Sequence, residues 1–122
     1  MTTKIRSAFT LIELLVVISV IGILSGILIG ILNPGYLQGR ARNAARKADL
    51  GVIQSALEMY YSDQNLYPAS IPSGTWTGYL TTVPVDPKTA VAYSYTQTGS
   101  GAGYDLCATL EPSGSYCVHN PF

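Results

Sequence analysis

The apolar pattern of this chain changes period twice. Residues 9–32, FTLIELLVVISVIGILSGILIGIL, are apolar almost throughout and carry one carboxylate, Glu13. Leu11, Leu14, Leu15, Ile18, Ile21 and Leu28 surround a helix on all sides, as lipid or close helical neighbours require. The stretch is long enough to cross a bilayer. Asn33-Pro34-Gly35 then interrupts the run, and Pro34 predicts a kink or short break.

Beyond the break the pattern becomes one-sided and predicts a second helix over about 36–61. Leu37, Ala41, Ala44, Ala45, Ala48, Val52, Ala56 and Met59 fall on one broad face, widened by Leu50, Ile53, Leu57 and Tyr60. Arg42, Arg46 and Asp49 lie mainly off it. SDQNLYP at 62–68 stops the helix with turn residues and Pro68. A loop follows over 69–82, with Trp76 and Tyr79 as aromatic anchors, and VPVDP at 83–87 forms a tight turn. Period-two alternation then predicts strands at 90–97, 103–110 and 115–118, separated by the turn sequences TGSGAG and EPSG. The expected fold is α+β: a long N-terminal helix, apolar then amphipathic, packed on an antiparallel sheet of about three strands.

Charge adds location. Lys4 and Arg6 precede the apolar run, and the positive-inside rule predicts a single-pass helix with a cytoplasmic N-terminus. Arg40, Arg42, Arg46 and Lys47 on the other side oppose that rule, although Asn33-Pro34-Gly35 sets them several residues beyond the apolar end. Residues 50–122 hold one lysine against five acids, a net of minus four, which argues against direct nucleic-acid binding. Arg42 and Arg46 repel within one helix, and acidic surfaces of neighbouring subunits are the expected counterweight.

Candidate chemistry is sparse. Glu13 is costly in lipid and calls for a partner or a function. Gly22, Gly26 and Gly30 repeat every fourth residue, a spacing that lets another helix approach and that makes this part easier to extend. Cys107 and Cys117 fit either a short disulfide in an exported domain or two buried thiols. His119 reads as a solvated tail residue. No nucleophile elbow or metal-ligand spacing accompanies it, so neither an enzyme nor a metal or other cofactor is expected.

At Phe9 the pattern meets a family. AFTLIELLVVISVIGIL resembles the N-terminal cleavage and methylation segment of type IV pilins and the pseudopilins of type II secretion. LEMYYSDQNLYP at 57–68, with VPVDP, resembles the major pseudopilin and the short pilins built like it. The resemblance implies a leader over 1–8, cut between Ala8 and Phe9, and N-methylation of Phe9. The family usually has glycine where this chain has Ala8. It implies a transmembrane and assembly helix over 9–32, a kink and amphipathic helix over 33–61, and a small extracytoplasmic domain over 62–122.

Glu13 would pair with the Phe9 amine of a neighbouring copy, and Gly22, Gly26, Gly30 and Pro34 would supply packing and flexibility. The implied function is a structural subunit of a helical type IV pilus-like filament, with a type II secretion pseudopilin or a non-polymerising tethered domain as alternatives. Implied partners are copies of the chain, a prepilin peptidase and methyltransferase, an inner-membrane assembly platform and the bilayer. The filament would stand at the cell surface or in the periplasm. Major secretion pseudopilins often carry a calcium loop; Asp86, Asp105 and Glu111 do not make a dense oxygen-ligand loop here, and a Cys107–Cys117 tether would take over its role.

Overall fold

The computed structural model describes residues 8–121, in the element order α1 (Leu11–Ile31), α2 (Pro34–Gln64), β1 (Ser94–Thr98), β2 (Gly103–Thr109) and β3 (Ser115–His119). It divides into two compact units, one ending at Leu37 and one from Gln38 onward. The proposed leader lies, apart from Ala8, outside the described residues.

In the first unit, Thr10 begins α1. Its hydroxyl accepts a hydrogen bond from the Glu13 N–H at 3.3 Å, and Glu13 sits in the first turn. Threonine followed three residues later by glutamate is a capping-box pattern, and an acid there also meets the positive end of the helix dipole. None of the α1 side chains is buried by the chain itself.

The break after α1 is sharper than a kink. Leu32 closes one helix by donating to the Leu28 carbonyl, and Asn33 opens the next by accepting from the Tyr36 N–H at 3.2 Å. Pro34 therefore occupies the first position of α2, where its missing N–H costs nothing. The helix runs two residues earlier and three later than periodicity predicts. It stops where Asn65 takes a left-handed φ of 56° and donates to the Tyr61 carbonyl.

The second unit is built around the middle of α2. Leu50, Ile53, Ala56 and Leu57 of α2 meet Tyr104, Leu106 and Ala108 of β2, with Tyr67, Trp76 and Val83 closing the sides. The sheet has the order β1-β2-β3, antiparallel throughout. Along β2, Tyr104, Leu106 and Ala108 are buried, and Asp105 and Cys107 alternate with them. This is the period-two signature of a sheet with one covered face. Glu58 receives hydrogen bonds from the buried hydroxyls of Tyr67 and Tyr104, so the polar ends of two core aromatics are satisfied by one α2 carboxylate.

Two expectations need correction. The broad α2 face is two faces: Ala56 joins Leu50, Ile53 and Leu57 against the sheet, whereas Leu37, Ala41, Ala44, Ala45, Ala48, Val52 and Met59 are exposed. The first strand begins at Ser94 rather than at 90, because Ala90 takes a φ of 56° inside a hydrogen-bonded turn. The other strands fall where alternation places them, within a residue or so.

Candidate functional site

Two places in the molecule carry charge in an environment that must account for it. The first is the start of α1. Ala8, Phe9 and Thr10 precede the helix and are exposed, Phe9 to 82 %. Glu13 follows one turn on, and the rest of α1 presents no charge. Added Cβ atoms at Gly22, Gly26 and Gly30 would meet nothing within 4 Å, so the chain's own packing does not require these glycines. At fourth-residue spacing they share one side of α1. Pro34 lies apart from them, as the first residue of α2.

The second place is a knot of ion pairs in the second unit. Arg46 is 2 % exposed, the one charged residue among the described residues to be buried so fully. Its Nε donates to Asp86 Oδ2 at 2.6 Å and its Nη2 to Asp86 Oδ1 at 3.1 Å, a two-pronged contact. The same guanidinium reaches Asn43 at 2.8 Å and Glu111 at 3.4 Å. Arg42 holds Glu111 through Nε and Nη2, and Lys88 reaches it at 2.9 Å. Asn43 ties down the backbone N–H and carbonyl of Glu111. Gly39 lies against this carboxylate, where an added Cβ would sit 3.3 Å from Glu111 Oε2.

The knot joins α2 to two loops, 84–92 and 110–114. Asp86 also accepts from the backbone N–H groups of Lys88 and Thr89, at 2.8 and 3.0 Å. Its carboxyl is held far below the usual range, first by the Arg46 hydrogen bonds and against the opposing cost of burial. The hydrogen bonds from Arg42 and then Lys88 lower the Glu111 carboxyl to about 2. Burial and the Glu58 carboxylate together push the Tyr67 hydroxyl up to about 12. All these groups stay in their ordinary protonation states at neutral pH, and they serve as ties rather than as proton donors or acceptors.

The expectation that neighbouring subunits balance Arg42 and Arg46 is thus corrected, because acids of the same chain do so. His119 is solvated as expected, its side chain 62 % exposed, but it belongs to a strand rather than to a tail beyond it. It closes β3, and its Nδ1 lies 2.5 Å from Asp105 Oδ1 on the directly opposite position of β2. Cys107 and Cys117, also directly opposite one another, are joined as a disulfide with Cα atoms 4.1 Å apart. Among the described residues no three His, Cys, Asp or Glu side chains gather as a metal site would require.

A bare apolar helix headed by one acid, followed by an amphipathic helix that carries a small disulfide-linked sheet, defines a membrane-anchored subunit of the pilus-like class. The comparisons with known proteins agree. The family model for the prokaryotic N-terminal methylation motif matches residues 3–29. The chain is 32 % identical to type II secretion system core protein G of Pseudomonas aeruginosa, over 87 % of this chain and 84 % of that protein. It is 33 % identical to core protein G of Aeromonas hydrophila over 57 % of this chain and 48 % of that protein. It is 38 % identical to the fimbrial protein EcpC of Eikenella corrodens over 57 % of this chain and 44 % of that protein. No solved structure matches. The chain belongs to the type IV pilin and pseudopilin family, and it is a structural subunit of that pilus-like kind.

Proposed function

We propose that the chain is cut between Ala8 and Phe9, methylated at the new amine, and drawn from the bilayer into a helical filament of its own copies. The observation that carries this reading is the position of Glu13, a single acid at the head of an otherwise uncharged α1. Cutting before Phe9 creates a cationic amine four residues upstream of an anion. Each copy then presents one charge of each sign at the same end of its apolar helix. A neighbouring copy can satisfy both, which offsets the several kcal/mol, roughly, that an isolated carboxylate costs in hydrocarbon.

The basic residues Lys4 and Arg6 favour a cytoplasmic N-terminus. The second unit then lies outside the cytoplasm, where a disulfide persists. The prepilin peptidase and methyltransferase, an inner-membrane platform and the lipid bilayer are the partners this route requires. Ala8 keeps the small side chain that a narrow cleavage pocket would accept.

Within the class, a secretion pseudopilus is supported by the relative from Pseudomonas, whose similarity extends over most of both chains. A surface pilus is the second reading. The fimbrial relative from Eikenella and the Cys107–Cys117 tether favour it.

Mass spectrometry of the N-terminal peptide from assembled material tests the processing step. The expected peptide begins at Phe9 and carries one added methyl group. Assembled protein that retains residues 1–8 would contradict the proposal.

A further inference from the structure

The second unit leaves large apolar side chains exposed in two main places, and they lie on different sides of α2. One is the outer face of α2, where Val52 and Met59 are 45 % and 51 % exposed, in line with Ala41, Ala44, Ala48 and Ser55. No charged residue falls within this line, and at 1.5 Å per residue it runs about 27 Å from Ala41 to Met59. The other is a finger, residues 84–92, whose Val91 is 62 % exposed.

The finger is rigid for reasons already visible. Val85 pairs with Ala92, and the Asp86 N–H donates to the Val91 carbonyl at 2.9 Å. The Ala90 N–H donates to the Asp86 carbonyl, which holds Ala90 at positive φ. Asp86 itself is gripped by Arg46. A non-glycine residue held at positive φ within a fully bonded turn is a geometry the surroundings impose.

We propose that the finger of one copy docks through Val91 on the outer α2 face of the next copy. This contact rests on the filament reading above. Four observations favour a second copy as the occupant. The tip and the track are themselves uncharged: the Lys88 ammonium on the finger is turned to Glu111, and no charged residue falls within the α2 line. The α2 face offers small residues flanking Val52, a shallow track for a valine knob. The finger is tied to α2 through Arg46, whereas Ala48 points about 200° away around the helix, so a copy cannot seat its own finger on its own face. Finally, two different patches that complement each other make a heterologous contact, which repeats head to tail as the helical array of the filament reading requires.

The test uses the full chain in cells that assemble it. The native cysteines are already paired, so A48C and V91C introduce the only free thiols among the described residues. Mild oxidation of filaments bearing both substitutions should give a ladder of dimers and higher species, and either substitution alone should give none. V91E should abolish filaments while leaving membrane insertion and the native disulfide unchanged, and V91E with V52K should restore them. Dimers from A48C alone would show α2 faces meeting each other and overturn the proposal. Normal filaments with V91E, where E13Q removes them, would overturn this contact and leave the filament reading standing. Absence of filaments from the wild-type chain under secretion and surface-piliation conditions, with no cross-links in membranes, would overturn both.

Discussion

Arg46 shows how one side chain can decide the shape of a small domain. Its guanidinium is buried, and it holds Asp86 and Glu111 from two loops at once. A buried pair is a modest source of net stability, but removing one partner strands the other. Arg46→Leu should therefore destabilise the second unit by roughly 3 kcal/mol, read as a lower urea midpoint of the detergent-solubilised chain.

The same cluster sets the response to acid. Asp86 and Glu111 both bind protons more weakly folded than unfolded. Their contribution is fully present above the ordinary carboxylate range. It declines as pH falls through that range toward about 2, where folded Glu111 takes up its proton. Acid unfolding of the wild type should begin in this window, and E111Q should flatten the slope there. An unchanged slope would show that Glu111 contributes nothing.

Little of the knot could be read from the residues in order. Arg46 finds Asp86 forty positions later and Glu111 sixty-five positions later. A helical pattern counts arginine as polar and places it outside. The usable signal was indirect: two arginines four apart, with no acid on the helix able to answer both.

At the scale of elements, the legible parts are those that rest on local periodicity. The α1 helix, the α2 helix and three strands follow from spacing, whereas the sequence leaves Cys107 and Cys117 open between a disulfide and two buried thiols, and the facing register of β2 and β3 decides for the disulfide. What periodicity cannot say is which of two apolar faces meets the sheet. Alanines at 41, 44, 45 and 48 look like core on a wheel, but their side chains are too small to fill the space that Leu50, Ile53 and Leu57 fill against β2. Pro34 was readable as a break but not as a beginning, because that depends on Asn33 turning its side chain to the Tyr36 N–H.

The link between β2 and β3 has a measurable share in the fold. Serine at both Cys107 and Cys117 should cost about 2–4 kcal/mol in a chain-entropy estimate, seen as a lower melting temperature, with membrane insertion unaffected. Non-reducing alkylation of the native protein should find no free thiol among the described residues. The β1–β2 turn is the more fragile join. Gly101 takes a φ of 99° and approaches Leu66 so closely that an added Cβ would lie 3.1 Å from its Cβ. Gly101→Ala should lower stability by roughly 1–3 kcal/mol. Gly74→Ala, with the same backbone sign and open space around it, should cost less.

For the whole molecule, the division of labour follows the division of charge. The first unit has an uncharged helix with nothing of its own chain to bury it, and one acid at its head. The second unit ties down much of its charge internally, in the Arg46 knot and the Glu58 hydrogen bonds. Such a subunit leaves its first helix uncovered by its own chain, while its head ties its charges down within itself. That is the logic of a filament subunit.

Glu13 is where this account is most exposed. Its cap position means that removing the acid loosens the first turn of α1 by about 0.3–1 kcal/mol, too little to prevent insertion of a helix this apolar. Glu13→Gln keeps the shape and removes only the charge. The direct measurement is electron microscopy of filaments from cells producing wild type or E13Q, with immunoblots of the membrane fractions. Equal membrane levels with filaments lost in E13Q is the predicted result. Equal membrane levels with wild-type filament numbers would contradict it.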